Sequence, residues 1–280
     1  YTVGVLNNQP MGFYSPATLL QDGRRHRLKA HPVCIAHSNW ECTVEGEKTI
    51  RIGLRYVKGL RQTAVDAMLV QRRATPFGSM DDFLRRTDFT AVERRALASA
   101  GALNALTLHR RAALWQIEAA WSDEENLFKH FAETERTDSP LTPMTLSERL
   151  AADFQLLSLT TGRHPMALLR DRLPGVHRAK DLKETKTGER VTIAGSVICR
   201  QRPGTAKGFV FVSLEDETGI ANAVVVPALF ERHRLLITQE SALRITGVVQ
   251  NVSNVIHIKA QHIEALREEM LPAQASHDFH

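Results

Sequence analysis

Apolar residues are spaced in two different ways along this chain, helically over residues 54–121 and alternately over 190–266. In the first stretch Leu60, Ala64, Val65, Met68 and Leu69 fall on one helix face. Ser79-Met-Asp-Asp82 and Thr90-Ala-Val-Glu93 have the form of helix starts, and Gly101 that of a stop. The expectation is a cluster of short helices joined by tight turns. Ahead of it, YTVGVLNN (1–8) looks strand-like, and Ser15-Pro16 announces a helix carrying Ala17, Leu19 and Leu20 that runs out near Gly23–His26. Residues 31–56 look extended and partly looped, with a turn at Gly46-Glu47 and alternation around Ile50–Leu54. Residues 122–145 are polar, acidic and proline-marked, as in a linker, after which Thr145 and Glu148 cap a helix to about Leu157.

The second stretch holds five β-rich runs, VTIAGSVIC, FVFVSLED, IANAVVVP, ALRITGVV and VIHIKAQHI, with the helical ALFERHRLLI after the third. Five strands with a helix in that place predict an OB-fold barrel; an SH3-like or other small barrel is the alternative. The final LPAQASHDFH looks like a flexible tail. The fold class is therefore multidomain α+β, helices first and a five-stranded barrel second.

Composition narrows the partners. The 280 residues are 43% hydrophobic and 24% charged, enough for two or three small cores. A net charge of +5, mostly from excess arginine, favours a polyanion over an acidic-substrate pocket. Cys34, Cys42 and Cys199 lack paired spacing, which argues against a disulfide framework or a four-cysteine zinc site and fits a reducing cytosol. No apolar run reaches the roughly 18 residues of a membrane span, and no leader pattern opens the chain. A start at Tyr1 rather than Met suggests a piece of a longer protein.

The sharpest local chemistry is Val57-Lys58-Gly59-Leu60, which has the form of a helix-hairpin-helix turn. There a glycine lets backbone N–H groups approach a phosphate, and the next helix adds its positive end. Arg61 stands where the motif usually has a second glycine, giving poorer amide approach and a charged contact instead. The alternative is an ordinary helical corner. Ser99–Ala102, followed by His109-Arg110-Arg111, is a weaker second hairpin that makes Arg110 a further duplex contact. Arginine pairs recur at 24–25, 72–73, 85–86 and 94–95, and only one member of each can line a common face. In the barrel, Arg200, Arg202 and Lys207 cluster in a turn, and Phe209 and Phe211 share a face of the next strand. Cations with aromatic platforms suit a single strand; filling the barrel core is the alternative for the two rings. His26, His31, Cys34, His37 and Cys42 match no regular metal spacing, so no metal is expected. Asp81-Asp82 and Glu215-Asp216-Glu217 read as cap and turn residues rather than as a catalytic carboxylate set.

These runs together resemble one family. VLNNQPMGFYSPATLLQDGRRH (5–26) resembles the end of the fingers region in alpha-type subunits of C-family bacterial DNA polymerases. IGLRYVKGL (52–60) with PFGSMDDFLRR (76–86) resembles their tandem helix-hairpin-helix domain, and GRHPMALLR (162–170) the approach to their OB domain. RQRPGTAKGFVFVSLEDETGIANAVVVP (200–227) and the terminal SHDFH are similar to the error-prone branch, that of the mutasome, rather than to the replicative subunit with its extra tail domain.

The resemblance implies an end of fingers at 1–45, a helix-hairpin-helix domain at 46–121, a linker with connecting helices at 122–189, an OB domain at 190–266 and a tail at 267–280. It also implies a translesion polymerase that acts in DNA repair and replication in the bacterial cytoplasm at the nucleoid, with palm aspartates and Mg2+ upstream of Tyr1 and no cofactor in this stretch. Lys58, Gly59, Leu60, Arg61 and Arg110 would grip primer–template duplex, and Arg200, Arg202, Lys207, Phe209 and Phe211 the template single strand. Leu127 and Phe128 occupy the place of a clamp-binding peptide whose glutamine is replaced by glutamate here. Partners would be DNA, the sliding clamp directly or through accessory proteins, and accessory mutasome subunits. A protein-docking module in which DNA contact is incidental is the rival reading; an independent nuclease is disfavoured by the missing carboxylates.

Overall fold

The computed structural model describes residues 1–11, 14–124, 139–252, 255–266 and 277–279. The chain forms two compact units. One holds Tyr1, Val3–Asn7 and Leu28–Thr161; the other holds Thr2, Asn8–Arg27 and Gly162–His280.

The first unit opens with α1 (Thr2–Asn7), a helix where YTVGVLNN suggested a strand. Asn7 explains part of this, because its side chain bonds the Cys42 backbone N–H at 2.8 Å and carbonyl at 3.0 Å, while Leu6 is fully buried. Helix α2 (Pro16–Arg25) belongs to the other unit. Residues 8–27 thus part from the rest of the 1–45 segment. Strands β1 (Lys29–His31), β2 (Thr43–Gly46) and β3 (Thr49–Arg51) make a small sheet, β3 lying parallel to β1 and antiparallel to β2. A single 3-10 turn, Leu54–Tyr56, is the helical segment ahead of the Val57–Leu60 corner.

Five helices complete this unit: α3 (Gln62–Ala74), α4 (Met80–Arg86), α5 (Ala91–Ala100), α6 (Arg110–Glu124) and α7 (Leu146–Leu157). Their starts follow the sequence signals. Ser79 caps α4, and Thr90 with Glu93 and Thr145 with Glu148 form capping boxes on α5 and α7. Gly101, at φ +80°, ends α5 in the left-handed conformation. Val65, Met68 and Leu69 of α3 are buried, as the periodicity predicts, and Phe83 of α4 lies between the rings of Phe77 and Phe89.

In the second unit Ser15 caps α2, and α8 (Pro165–Leu169) precedes the barrel. Its strands are β4 (Arg190–Gln201), β5 (Val210–Glu215), β6 (Ile220–Val225), β7 (Ala242–Val252) and β8 (Val255–Ala265); α9 (Pro227–Arg232) and α10 (Arg234–Gln239) fall after the third strand. The long β4 pairs with β7 through residues 190–196 and with β5 through 196–201. A short parallel pairing of Ala223–Val224 with Ile258–Lys259 closes the barrel. This is the OB arrangement, and its core is Val, Ile and Leu from alternate positions of every strand together with Leu229, Phe230 and Ile237 of the helical cover. The expected tail at 267–280 needs one correction: β9 (His277–Phe279) pairs parallel with Cys199–Gln201 of β4, because that stretch has a second edge free for hydrogen bonds beyond its pairing with β5.

Two glycines allow the barrel to close so tightly. A Cβ on Gly195 would lie 2.6 Å from the Glu215 carbonyl oxygen, and one on Gly247, at a register shift between β7 and β8, would collide with the Lys259 carbonyl. Gly247→Ala is expected to destabilise the barrel by about 1–3 kcal/mol in chemical denaturation, against no comparable loss for Gly204→Ala, whose added Cβ meets open space.

Candidate nucleic-acid interface

The corner between the 3-10 turn and α3 is held from below. The Lys58 N–H donates to the Leu156 carbonyl at 2.9 Å, and its ammonium donates to the Gln155 carbonyl at 2.8 Å, both at the end of α7. The cation also complements the negative end of that helix. Gly59 is exposed at φ +85°, a conformation costly for any side chain although the space around it is open. Leu60 is half-buried and closes the turn, its N–H donating to the Val57 carbonyl at 3.3 Å.

Arg61 does not project freely. Its backbone N–H, Nε and Nη2 each reach the Glu93 carboxylate at 2.9 Å, and Nη2 also reaches the Asp88 carbonyl. Glu93 at the same time accepts from the Thr90 N–H and hydroxyl. Burial alone would raise this carboxyl, but the bonds from Arg61 and Thr90 hold it down at about 2. One carboxylate therefore fixes the starts of both α3 and α5.

Arg61 stands at the N-cap position but its guanidinium has no acceptor atom, so α3 begins without a side-chain cap and with no acidic residue in its first turn. The other described helices of seven residues or more are capped: Ser15, Ser79, Thr90 and Thr145 serve α2, α4, α5 and α7, and His109 Nδ1 accepts from the Ala112 N–H of α6 at 3.0 Å. The exposed first turn of α3, Gln62 and Thr63, beside Gly59, is thus the helix start that offers amides and a positive dipole end to an anion. The second corner does not match it, since its helix start is already occupied by His109.

Arg110, expected on the duplex face, is only 7% exposed. Its guanidinium donates to Asp153 at 2.6 Å and to the Arg149 carbonyl, and Asp153 also accepts from Thr160 at 2.6 Å, so the pair clamps α6 to α7. The arginine pairs divide in the same way. Arg72 donates to the Ile35 and Ser38 carbonyls, and Arg86 to those of Gln71 and Thr75 while lying over Phe77, whereas Arg73 and Arg85 are exposed.

On the barrel, Arg200 is likewise buried, with Nε donating to the Ile237 carbonyl at 2.5 Å and Nη2 to that of Glu240 at the end of α10. A bulge between Val197 and Cys199 reverses the alternation of β4 and turns Arg200 inward. Arg202 lies over the Phe230 ring at 4.6 Å and within 3.4 Å of Glu231. Lys207 is exposed at the end of its turn. Phe209 is half-buried, and Phe211, 39% exposed, faces outward while Val210, Val212 and Leu214 fill the core. Other residues share this outer face: Ser213 and Asn222 lie side by side on β5 and β6, and Tyr14 stands beside them at the start of α2. Only the alternation of each strand signals the first two; Tyr14 carries no pattern.

The carboxylates are engaged elsewhere. Asp82 pairs with Arg86, the buried Glu215 with Arg25, and Glu217 with Arg170, while Asp216 ties the turn by accepting from the Thr218 and Gly219 N–H groups. Burial pushes Glu215 up to about 7 against the pull of Arg25 and Thr18. Among the described residues no three His, Cys, Asp or Glu side chains gather as a metal site requires, and arginine-paired acids do not fit the Mg2+ of phosphoryl transfer. Leu127 and Phe128 lie outside the described residues. No described helix is long and apolar enough to cross a membrane.

Two outcomes follow from this chemistry. Arg110→Ala leaves Asp153 buried without its charge partner and should cost about 3–5 kcal/mol in urea unfolding, while replacing both residues with apolar ones should cost less. Because Glu93 sits below its ordinary value of 4.5 in the fold, the stability it confers is complete above pH 4.5 and is lost as pH falls towards about 2. An acid titration of α-helical signal should lose that step in Glu93→Gln.

Two segments of the chain resemble known families. Residues 27–113 match the family described as helix-hairpin-helix motif, and residues 191–266 match the OB-fold nucleic acid binding domain. Over 291 residues the chain is 40% identical to the error-prone DNA polymerase of Alkalilimnicola ehrlichii, covering 100% of this chain and 28% of that protein. Identity is 37% over 293 residues to the error-prone DNA polymerase of Anaeromyxobacter sp. (strain K), covering 100% and 26%. It is 36% over 297 residues to error-prone DNA polymerase 1 of Rhizobium meliloti, covering 94% and 26%. The chain spans about a quarter of the length of the curated relatives it matches.

Proposed function

We propose that the chain, which is 36–40% identical to error-prone DNA polymerases over about a quarter of their length, is the C-terminal part of such an enzyme and grips DNA without performing the chemistry. The observation that carries this reading is the uncapped start of α3 beside Gly59, anchored by Lys58 and by the Arg61–Glu93 pair. Amides and a helix dipole aimed at a phosphate hold duplex in any sequence, as a polymerase moving along its product requires. The outward Phe211 and the exposed Lys207 favour the barrel as the holder of the template single strand. Extension past damaged template, the palm carboxylates and their Mg2+ belong in this reading to the remainder of the polymerase, acting at the nucleoid in the bacterial cytoplasm.

A second reading draws on the first unit. Leu108, just before α6, is 88% exposed, and Trp115 on α6 and Leu146 at the start of α7 are exposed as well, which suits docking of the sliding clamp or accessory mutasome subunits. Capture of those proteins by the chain, abolished by Leu108→Asp with DNA affinity unchanged, would support it.

Duplex binding should weaken about tenfold between roughly 50 and 200 mM salt if two phosphates are neutralised. Thr63→Glu separates grip from folding: an acid in the first turn of a helix favours the helix but repels phosphate. Thermal melting should hold or rise while duplex affinity falls about tenfold. An unchanged affinity would remove α3 from the interface.

A further inference from the structure

The outward face of the barrel carries more than Phe211. Cross-strand register sets Cys199, Ser213 and Asn222 in one row and Gln201, Phe211 and Val224 in the next. A groove of about 480 Å3 opens over the first row, with Tyr14 on one wall and Ile220 on another. Tyr14 is 56% exposed, and its place is fixed by the Ser15 cap that starts α2. Every described side chain lining the groove is uncharged.

That lining sets the class of ligand. Among the described lining residues a phosphate or carboxylate finds no cation, whereas a flat heteroaromatic ring finds a stacking surface on Tyr14 and polar groups beside it. Ser213 donates to Asn222 Oδ1 at 2.8 Å, which orients the Asn222 amide and leaves its NH2 group as donor to an acceptor on a ring edge. We propose that the groove holds one unstacked base of a single strand, Tyr14 stacking on the ring and Asn222 donating to it; this rests on the barrel being the single-strand surface. Tyr14 lies outside both matched segments, 27–113 and 191–266, so neither family description accounts for it.

Binding of the full chain to a fluorescent single-stranded oligonucleotide, to the same strand made of abasic nucleotides, and to duplex tests the proposal. Tyr14→Ala should bind the normal strand about tenfold more weakly, with duplex and abasic strand unchanged, and Tyr14→Phe should match the unaltered chain. Asn222→Ala should lose discrimination among homopolymers. Photocrosslinking of a halopyrimidine strand to the unaltered chain gives a readout that needs no variant, and adducts should map to the Tyr14 peptide. Single-strand affinity unchanged in Tyr14→Ala, an equal loss on the abasic strand, or adducts only elsewhere would overturn the groove. If Phe211→Ala alone weakens single-strand binding, the barrel reading stands and the groove falls; if the unaltered chain binds no single strand, both fall.

Discussion

The Glu93 carboxylate is the constraint on which the candidate grip depends. It accepts from three groups of Arg61 and two of Thr90, so the start of α3 and the start of α5 are fixed by the same two oxygen atoms. Near neutral pH that charge is permanent, because the bonds it accepts outweigh the burial that opposes it. The consequence for function is indirect. Arg61 stands at the N-cap position but carries only donors and cannot cap the helix, so with its guanidinium held on Glu93 the first turn of α3 stays uncapped and turned towards solvent.

The same division of labour runs through the rest of the chain. Arginines that charge alone would assign to DNA instead bind main-chain carbonyls: Arg72 those of Ile35 and Ser38 after β1, Arg86 those at the end of α3, Arg200 those at the end of α10. A planar donor fork suits this task, since one side chain can satisfy two or three carbonyls at once. Arg110 with Asp153 does the equivalent between α6 and α7. On the proposed reading, DNA contact falls to backbone amides, to exposed cations such as Lys207 and to aromatic faces, groups that bind without reading sequence.

Local signals made the architecture legible. Ser15, Ser79, Thr90 and Thr145 cap where the sequence put them, and the five period-two runs coincide with the five barrel strands. Side-chain destinations were less legible. Alternation counted from Val191 points Arg200 outward, and only the bulge after Val197 reverses it, a feature no residue type announces. The opening YTVGVLNN looks strand-like yet holds α1, because a segment that short is decided by what Asn7 and Leu6 meet across the fold. Arg110 looked like a hairpin cation, for its partner Asp153 lies 43 residues away. Tyr14 escaped for the same reason: its setting is a barrel that begins far downstream.

Amide resonances report the central claim most directly, because the grip is assigned to backbone N–H groups rather than to side-chain charge. In 15N-labelled chain titrated with primer–template duplex at low salt, the signals of Gly59, Gln62 and Thr63 should shift first and furthest and return when salt is raised. Those of Ala102 and Arg111, at the second corner, should remain in place. Shifts confined to the second corner, or to the barrel, with Gly59 and Thr63 unmoved, would contradict the account.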